Sequence, residues 1–333
     1  MPPPLLPPPS SPPLPYRIAM LGTGEFALPS FRALADSQHT VVGLVTQPDR
    51  FDARGRLHAN VMKEFAVSRG IPVLQPSNIN TEESLAQLRA LNADLFMVAA
   101  YGQILSADVI GVPPQGCYNL HASLLPKYRG AAPIQYAMWK GETETGVSIF
   151  KIEPKLDAGP ILATYTTFIG PRETAGDLEA RMADRVVPTL LIFLIDLESG
   201  QLTGTLQDKS LVTKAPKLKK EYGAIDWSQT GRQINCQVRA MQPWPMAYAF
   251  LKIEGRPPLR VLILEVAPSA SPDHSDHPPG TVVHNDGKSL RVRCGDGNLL
   301  IERIQPVGKR AMAIPEFLRG YTALPGSRFD PTE

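Results

Sequence analysis

One short run of the sequence carries an amide and an imidazole at a spacing that a strand places on one face. The run covers residues 119–133 and follows the apolar, strand-like segment 95–100. Side chains two apart in a strand project from the same face, so Asn119 and His121 should point into one cleft. An amide can donate to a developing oxyanion, and an imidazole titrates near neutral pH and can relay protons. The pair therefore predicts acyl transfer to an amine.

A carboxylate on a later loop is the second candidate group. Asp157 lies in the run Leu156-Asp157-Ala158-Gly159-Pro160-Ile161. An Asp just before a Gly-Pro pair is ordinary turn chemistry, and the turn alone can account for it. Asp157 also follows a predicted strand of the same sheet, from which it could approach His121 and hold the imidazole in a useful protonation state. From the residues alone, both interpretations stay open.

The elements that would position these residues alternate between strand and helix. Strand patterns occur at 17–21, 41–45, 71–74 and 95–100, and helical patterns at 26–34, 61–69 and 82–91. This alternation predicts an α/β fold, with a Rossmann-like, mostly parallel sheet and helices on both faces. In open sheets of this kind the ligand crevice lies at the carboxyl ends of the strands, where the loops emerge.

The turn after the first strand allows a competing interpretation. Gly22-Thr23-Gly24-Glu25-Phe26-Ala27 matches the G-x-G-x-x-A pattern of dinucleotide-binding folds. That function needs an acidic residue at the end of the second strand to hold a ribose. The second strand ends instead in Val45-Thr46-Gln47, and Asp49 follows in a proline-led loop. A tight turn without a cofactor explains the glycines, so nicotinamide binding is the less favoured interpretation.

The second half of the chain changes from long elements to short ones. The patterns predict strands at 146–152 and 163–169, one long amphipathic helix at 175–197, a helix at 231–241, and short β segments at 247–253, 259–266, 280–284, 289–294 and 298–304. Several short strands with turn signals predict a smaller C-terminal β-barrel (OB-like) domain or a sandwich. His274 and His277, in the polar run 267–279, lack a partner cluster, which favours a solvated loop over a metal site.

Composition and charge limit the classes of protein to consider. The chain has 333 residues, of which 43% are hydrophobic and 20% charged, and it offers no run of roughly 18 apolar residues that could span a membrane. Its cysteines, Cys117, Cys236 and Cys294, are scattered and suggest neither a disulfide framework nor a zinc site. The chain carries 17 Lys and Arg against 20 Asp and Glu through Lys209, and 17 against 12 after it. A basic C-terminal part is one indication of a polyanionic partner.

Four segments are predicted along the chain. They are a disordered proline-rich tail at 1–15, a catalytic domain at 16–209, a basic linker at 210–220 and a C-terminal small-barrel domain at 221–333. The tail has nine prolines and no charged residue, a composition that favours extended polyproline conformations. It matches neither a secretory signal nor a mitochondrial transit peptide, so a cytoplasmic location is expected.

Several motifs in order along the chain resemble those of the folate-dependent formyltransferases. They are the turn at 22–27, Ala100-Tyr101-Gly102-Gln103-Ile104-Leu105, the Asn119-x-His121 pair with the run 123–134, and Leu156-Asp157-x-Gly159-Pro160. The resemblance runs from about residue 16 to the end. It implies 10-formyltetrahydrofolate as the formyl donor, no metal, no dinucleotide at the glycine turn, and catalytic roles for Asn119, His121 and Asp157. It also implies a folate pocket lined by Tyr101, Gly102, Gln103, Ile104, Leu105, Ser123, Leu124, Leu125 and Pro126.

The C-terminal half indicates which amine accepts the formyl group, because members of this family share the catalytic core. The runs at 214–221, 225–227 and 239–245 look like the linker and second domain of members that act on methionyl-tRNA. The loop at 47–56 resembles their basic insertion, although it is less basic and Asp52 adds an opposing charge. The resemblance thus implies initiator methionyl-tRNA as partner. The implied tRNA contacts are Arg54, Arg56, Lys217, Lys219, Lys220 and Arg239.

Other interpretations of this half remain. The linker lysines are equally consistent with a solvated charged segment, and Trp227 and Trp244 are expected to anchor the core rather than to stack on bases. Met246 stands where the family usually has glycine, a change expected to affect local packing. The alternative functions are formyl transfer to a sugar-nucleotide amine, an NAD-dependent oxidoreductase, and a tRNA-binding protein with a degenerate site. A monomer without a membrane partner is expected.

Overall fold

The structure, a computed structural model, describes residues 15–49, 55, 60–253, 255–269, 277–321 and 323–333. The predicted tail, apart from Pro15, lies outside the described residues, as do Arg54, Arg56 and His274. The chain forms two compact units. The first consists of Met1–His121, Val147–Tyr165 and Met182–Leu211, and the second of Ala122–Gly146, Thr166–Arg181 and Val212–Glu333. The domain boundaries that the sequence suggests stay predictions.

The bounds of the elements are as follows for the described residues. The strands are β1 Arg17–Gly22, β2 Thr40–Val45, β3 Val73–Leu74, β4 Leu95–Ala99, β5 Cys117–His121, β6 Arg129–Gly130, β7 Glu144–Lys151, β8 Ile161–Phe168, β9 Lys214–Ala215, β10 Tyr248–Lys252, β11 Leu259–Pro268, β12 Val282–Asn285, β13 Leu290–Cys294, β14 Gly297–Pro306, β15 Met312–Ala313 and β16 Arg328–Asp330. The α-helices are α1 Leu28–Ala35, α2 Val61–Ser68, α3 Glu82–Ala90, α4 Ala107–Ile110, α5 Pro133–Trp139, α6 Ala175–Arg185, α7 Val187–Glu198, α8 Gly231–Ala240 and α9 Ile314–Gly320. Short 3-10 helices cover Glu25–Ala27, Lys209–Leu211 and Lys220–Gly223.

The first sheet confirms the predicted Rossmann-like class. Its strands run in the order β3-β2-β1-β4-β5-β7-β8. β1 pairs in parallel with both β2 and β4, and β4 pairs in parallel with β5, whereas β7 is antiparallel to β5. Every residue of β4 is buried, as expected of a central strand covered on both faces. The site residues of β5 therefore lie beside a strand that is buried on both faces.

The helices of this half begin where the sequence supplies N-caps. Asn60, Thr81 and Ser106 each accept a hydrogen bond from a backbone N–H in the first turn of the helix that follows. The prediction of one helix over 175–197 was wrong, because α6 ends at Arg185 and α7 begins at Val187. Pro188 has no N–H to donate within a helix, and its ring would clash with the carbonyl group one turn earlier. It is therefore favoured in the first turn of a helix, as in α7.

The C-terminal sheet confirms the predicted barrel. Its strands run in the order β12-β13-β14-β11-β10-β16, with β15 paired to β14. The first and last strands of this order meet, because Thr281 and Arg328 form an antiparallel bridge and Phe329 N–H donates to Gly280 O at 2.8 Å. Closure leaves no free sheet edge at this seam. The Trp227 ring packs inside, 5.8 Å from the Phe329 ring.

Two further features bear on the sequence-based expectations. In the parts of the chain that the structure describes, no helix is long and apolar enough to cross a membrane. The three cysteines are buried thiols, and burial raises the pKa of the Cys117 thiol to about 12. A thiol with so high a pKa is not a nucleophile near neutral pH.

Candidate active site

Strand β5 places the amide and the imidazole. It lies between β4 and β7, with Asn119 opposite Phe150 and His121 opposite Ser148 in the antiparallel register. Because Asn119 and His121 are two apart in a regular strand, they share a face, as predicted. The His121 side chain is buried, and its ring stands edge-on to the Phe150 ring with centroids 6.3 Å apart. This packing limits the rotation of the imidazole.

Asp157 approaches His121 within the same compact unit. Its Oδ2 lies 3.9 Å from Nδ1 of His121, and the two side chains are only 11% and 6% exposed. Both side chains are thus mostly shielded from solvent, and the carboxylate is close enough to orient the imidazole. The structure thus brings together the three predicted catalytic residues, two by strand register and one by its loop.

The loop that carries Asp157 adopts an uncommon backbone conformation. Asp157 has φ +47°, in the left-handed region that Asp tolerates better than most residues. Two residues on, a Cβ on Gly159 would lie 1.8 Å from the carbonyl oxygen of Lys151, so only glycine fits. The Asp-x-Gly spacing is therefore a backbone requirement as well as a chemical one.

Gln207 supports this loop through its side-chain amide, a role that no sequence motif indicates. Its Nε2 donates to Asp157 O at 2.9 Å and to Gly159 O at 2.7 Å. The side chain is buried, with 9% exposure. Gln207 lies 50 residues from Asp157 along the chain, in a polar stretch without a recognisable motif. No local pattern could have identified it, because its role depends on a contact between distant segments.

The predicted folate-binding turn after β4 is fixed by side-chain amides. Ala100 has φ +49° and Gly102 has φ +86°, so the backbone turns sharply. Gln47 Nε2 donates to Tyr101 O at 2.9 Å, and Asn80 Nδ2 donates to Ile104 O at 2.9 Å. The turn is thus pre-organised by residues outside it.

The side chains of this turn differ in their accessibility. Tyr101 and Leu105 are buried, whereas Ile104 is 74% exposed. Both polar atoms of the Gln103 amide form hydrogen bonds, since Oε1 accepts from Ile79 N–H and Nε2 donates to Pro76 O. Burial raises the pKa of Tyr101 to about 12, so its phenol stays protonated. A folate pocket at residues 101–105 stays a prediction.

The glycine turn after β1 has a structural explanation. A Cβ on Gly22 would lie 2.9 Å from Cε of Met62 and 3.1 Å from the carbonyl oxygen of Ala99. Gly24 has φ +82°, which favours glycine. The local backbone and packing therefore account for both glycines.

The second predicted part of the folate pocket belongs to the other compact unit. Ser123 is fully buried, and its Oγ donates to Lys127 O at 2.7 Å. Leu125 is buried, while Leu124 and Pro126 are partly exposed. These contacts give residues 123–126 a fixed conformation, and their role in folate binding stays a prediction.

The predicted tRNA contacts differ in their surroundings. Lys217, Lys219 and Lys220 are exposed. Arg239 is tied to its own unit, because Nη1 donates to Gly170 O at 3.2 Å and to Glu173 O at 3.1 Å. Arg54 and Arg56 lie outside the described residues. Contact with tRNA stays a prediction for each of the six.

The two tryptophans of the second half have different environments. Trp227 is 2% exposed, which confirms it as a core anchor. The same expectation was wrong for Trp244, which is 47% exposed. It lies in the turn after α8, where the fully buried Met241 takes the inward position. Met246, in the same turn, has φ +71°, so the glycine usual at this position would match its backbone conformation.

Metal ligands can be assessed only for the described residues. Within those ranges, no group of three or more His, Cys, Asp and Glu side chains is arranged to hold a metal ion. His277 is exposed at the end of the polar loop, and His274 lies outside the described ranges.

Two family models match the chain. One described as formyl transferase covers residues 16–192, and one described as formyl transferase, C-terminal domain, covers residues 217–322. A relative named methionyl-tRNA formyltransferase from Rhodopirellula baltica is 42% identical in an alignment of 325 positions that covers 94% of this chain and 96% of the relative. A relative of the same name from Methylococcus capsulatus is 43% identical over 313 residues, which are 94% of this chain and 99% of the relative.

Solved structures resemble the chain in fold. The structure of WlaRD, a sugar 3N-formyl transferase, aligns with a TM-score of 0.63 at 17% identity and covers 89% of this chain and 99% of that one. HypX from Aquifex aeolicus in complex with tetrahydrofolic acid aligns with a TM-score of 0.59 at 18% identity and covers 94% of this chain and 50% of that one. At these identities the likeness concerns the fold alone.

Proposed function

Because this chain belongs to the formyl transferase family, we propose that it transfers the formyl group of 10-formyltetrahydrofolate to the α-amine of initiator methionyl-tRNA. The observation that carries the proposal is the arrangement of Asn119, His121 and Asp157 in one compact unit, with His121 buried and its imidazole 3.9 Å from the Asp157 carboxylate. The relatives that match over 94% of the chain support methionyl-tRNA as the acceptor.

The proposed reaction forms one C–N bond and breaks another. The α-amine attacks the formyl carbon of the donor substrate and gives a tetrahedral intermediate. Asn119 donates a hydrogen bond to its oxyanion, and His121 stabilises that charge and passes a proton to the departing folate nitrogen. Asp157 orients the imidazole and accepts the proton that the attacking amine loses, and transfer of this proton from Asp157 to His121 returns both groups to their starting state. The products are formyl-methionyl-tRNA and tetrahydrofolate.

Two segments and a set of basic side chains bind the substrates in this proposal. The pre-organised turn at 101–105 and residues 123–126 bind the formyl donor. Lys217, Lys219 and Lys220, with Arg54, Arg56 and Arg239, neutralise tRNA phosphates and so add affinity and positioning rather than sequence selectivity. We further propose that the protein acts as a monomer in the cytoplasm, where charged tRNA and folates are available.

Formyl transfer from radiolabelled 10-formyltetrahydrofolate tests the proposal. Charged initiator tRNA should become labelled, whereas uncharged tRNA and a sugar-nucleotide amine should not. A protein that labels the amino sugar and leaves methionyl-tRNA unlabelled would have the alternative function. Absence of labelled methionyl-tRNA under any donor concentration would contradict the assignment.

A further inference from the structure

One tryptophan lies partly exposed on the surface of the second unit. Trp244 lies between Pro243 and Pro245 and is 47% exposed, whereas Trp227 in the same unit is 2% exposed. Exposing a large apolar ring to water is unfavourable, and aromatic residues are enriched on surfaces that a partner covers.

The turn that carries Trp244 is held rigidly. Gln242 Nε2 donates to Val238 O at 2.8 Å and to Leu264 O at 2.9 Å. After the turn, Met246 N–H donates to Met241 O at 2.8 Å. Because the backbone is fixed on both sides, the ring loses little conformational entropy when a partner covers it. The turn therefore presents a pre-organised aromatic surface.

A basic turn lies against the same helix. Lys219 and Lys220 are exposed at the start of the 3-10 helix Lys220–Gly223. Gln237, on α8, donates from Nε2 to Tyr222 O at 2.8 Å and to Ala224 O at 2.9 Å. The Trp139 ring packs 5.6 Å from the Tyr222 ring. The two lysines are thus attached to a fixed backbone.

The two turns touch each other. A Cβ on Gly223 would lie 2.1 Å from the carbonyl oxygen of Met246, and Ile225 N–H donates to Tyr248 O at 3.0 Å. Lys220 lies about 6 Å from Gly223 along a 3-10 helix, and Trp244 lies at most about 7 Å from Met246. One strand of a few nucleotides can therefore reach both the lysines and the ring.

The charge of this surface suits a nucleic acid. Residues 217–221 carry three lysines and one acidic residue, Glu221. Lysines beside an accessible aromatic ring are the usual composition of surfaces that bind single-stranded nucleic acid, where phosphates meet the cations and bases stack on the ring. A base inside a duplex cannot stack in this way, so the partner must offer unpaired nucleotides.

We propose that Trp244 stacks on an unpaired base at the 3′ end of the tRNA, while Lys219 and Lys220 contact neighbouring phosphates. The inference rests on the proposed function, since it takes tRNA as the acceptor. The 3′ end is an unpaired stretch of the tRNA, so its bases are free to stack on Trp244. Trp244 is a binding residue in this account and takes no part in bond making.

Binding of two uncharged tRNAs tests the proposal, one intact and one without its unpaired 3′ nucleotides. Trp244→Ala should weaken binding of the intact tRNA roughly 5- to 150-fold, as expected for one lost stacking contact. It should change binding of the shortened tRNA by less than about 2-fold. Trp244→Phe, which keeps a stacking ring, should retain most of the affinity. Equal losses for both tRNAs, or no loss for either, would overturn the proposal.

Two controls separate this proposal from others. Thermal unfolding of Trp244→Ala should match the unsubstituted protein, and Trp139→Phe, which keeps a ring beside Tyr222, should bind both tRNAs normally. Lys219→Gln should lower the slope of log affinity against log salt by about 0.7 to 1.

Formyl transfer by the unsubstituted protein tests the function itself. An active protein whose tRNA binding ignores Trp244 would refute the stacking contact alone, and an inactive one would refute the function.

Discussion

Replacing Gln207 by Leu tests whether the loop of Asp157 must be held in place for catalysis. The substitution keeps the size of the side chain and removes a donor that serves Asp157 O at 2.9 Å and Gly159 O at 2.7 Å. Leaving a buried acceptor without a partner costs about 1–3 kcal/mol. The left-handed conformation of Asp157 costs about 1–3 kcal/mol more. Without Gln207 the loop can lower its energy by moving, and Asp157 moves with it.

The expected kinetic effect follows from that movement. A shift of about 1 Å in a catalytic group lowers the rate roughly 100-fold. We expect kcat to fall by about that factor, while KM for donor and for methionyl-tRNA changes less than about 3-fold, because Gln207 acts through Asp157. Gln207→Glu adds a pH signature. A protonated carboxyl can still donate one hydrogen bond, whereas the ionised form repels both carbonyl oxygens, so its activity relative to the unsubstituted protein should fall as pH rises.

Steady-state kinetics between pH 6 and pH 8, with thermal unfolding of each variant, distinguish the outcomes. The matched control is Gln305→Leu. This substitution removes an exposed amide that donates to Lys309 O, and both residues belong to the second unit. Normal kcat in Gln207→Leu, together with a lower unfolding temperature, would show that Gln207 only stabilises the fold. A rise in KM at constant kcat would mean that it acts on binding instead of on Asp157.

Three further substitutions have expected outcomes. His121→Ala should abolish turnover and leave tRNA affinity within about 2-fold, measured by formyl transfer and filter binding; equal loss of both would make His121 structural. Met246→Gly should be about 1 kcal/mol more stable to urea than Met246→Ala, because Met246 has φ +71°; equal stability would show that the backbone there is unstrained. Burial lowers the pKa of His39 in the folded protein, and the nearby Glu198 only partly opposes this effect. Below pH about 6.5 the unfolded chain therefore binds more protons at His39 than the folded protein does, so the free energy of unfolding should fall as pH drops through that value. His39→Gln should flatten this dependence between pH 5 and pH 8, and an unchanged slope would assign it to other groups.

The elements that the sequence predicts correctly are those whose pattern is local. Strands β1 and β4 are short apolar runs between turns, and helices such as α2 begin at capping residues that the sequence shows directly. The division of 175–197 into two helices was also readable, because Pro188 marks a helix start. Strand β16 was not, since its three residues become a strand only by pairing with β10 and closing the barrel.

The same distinction between local patterns and distant contacts applies to the candidate site. Asn119 and His121 share a face because of the period of one strand, which needs no knowledge of the rest of the chain. The sequence left Asp157 open between a turn residue and a partner of His121, and the structure makes these compatible. Asp157 takes the left-handed turn conformation, and the same turn brings its carboxylate to 3.9 Å from the imidazole. What fixes that position is the close approach of Gly159 to the nearby Lys151 and the amide of Gln207, which lies about 50 residues further along the chain. Local sequence patterns thus indicate the candidate reacting groups, whereas the residues that hold them in place are identified only by their contacts in the folded structure.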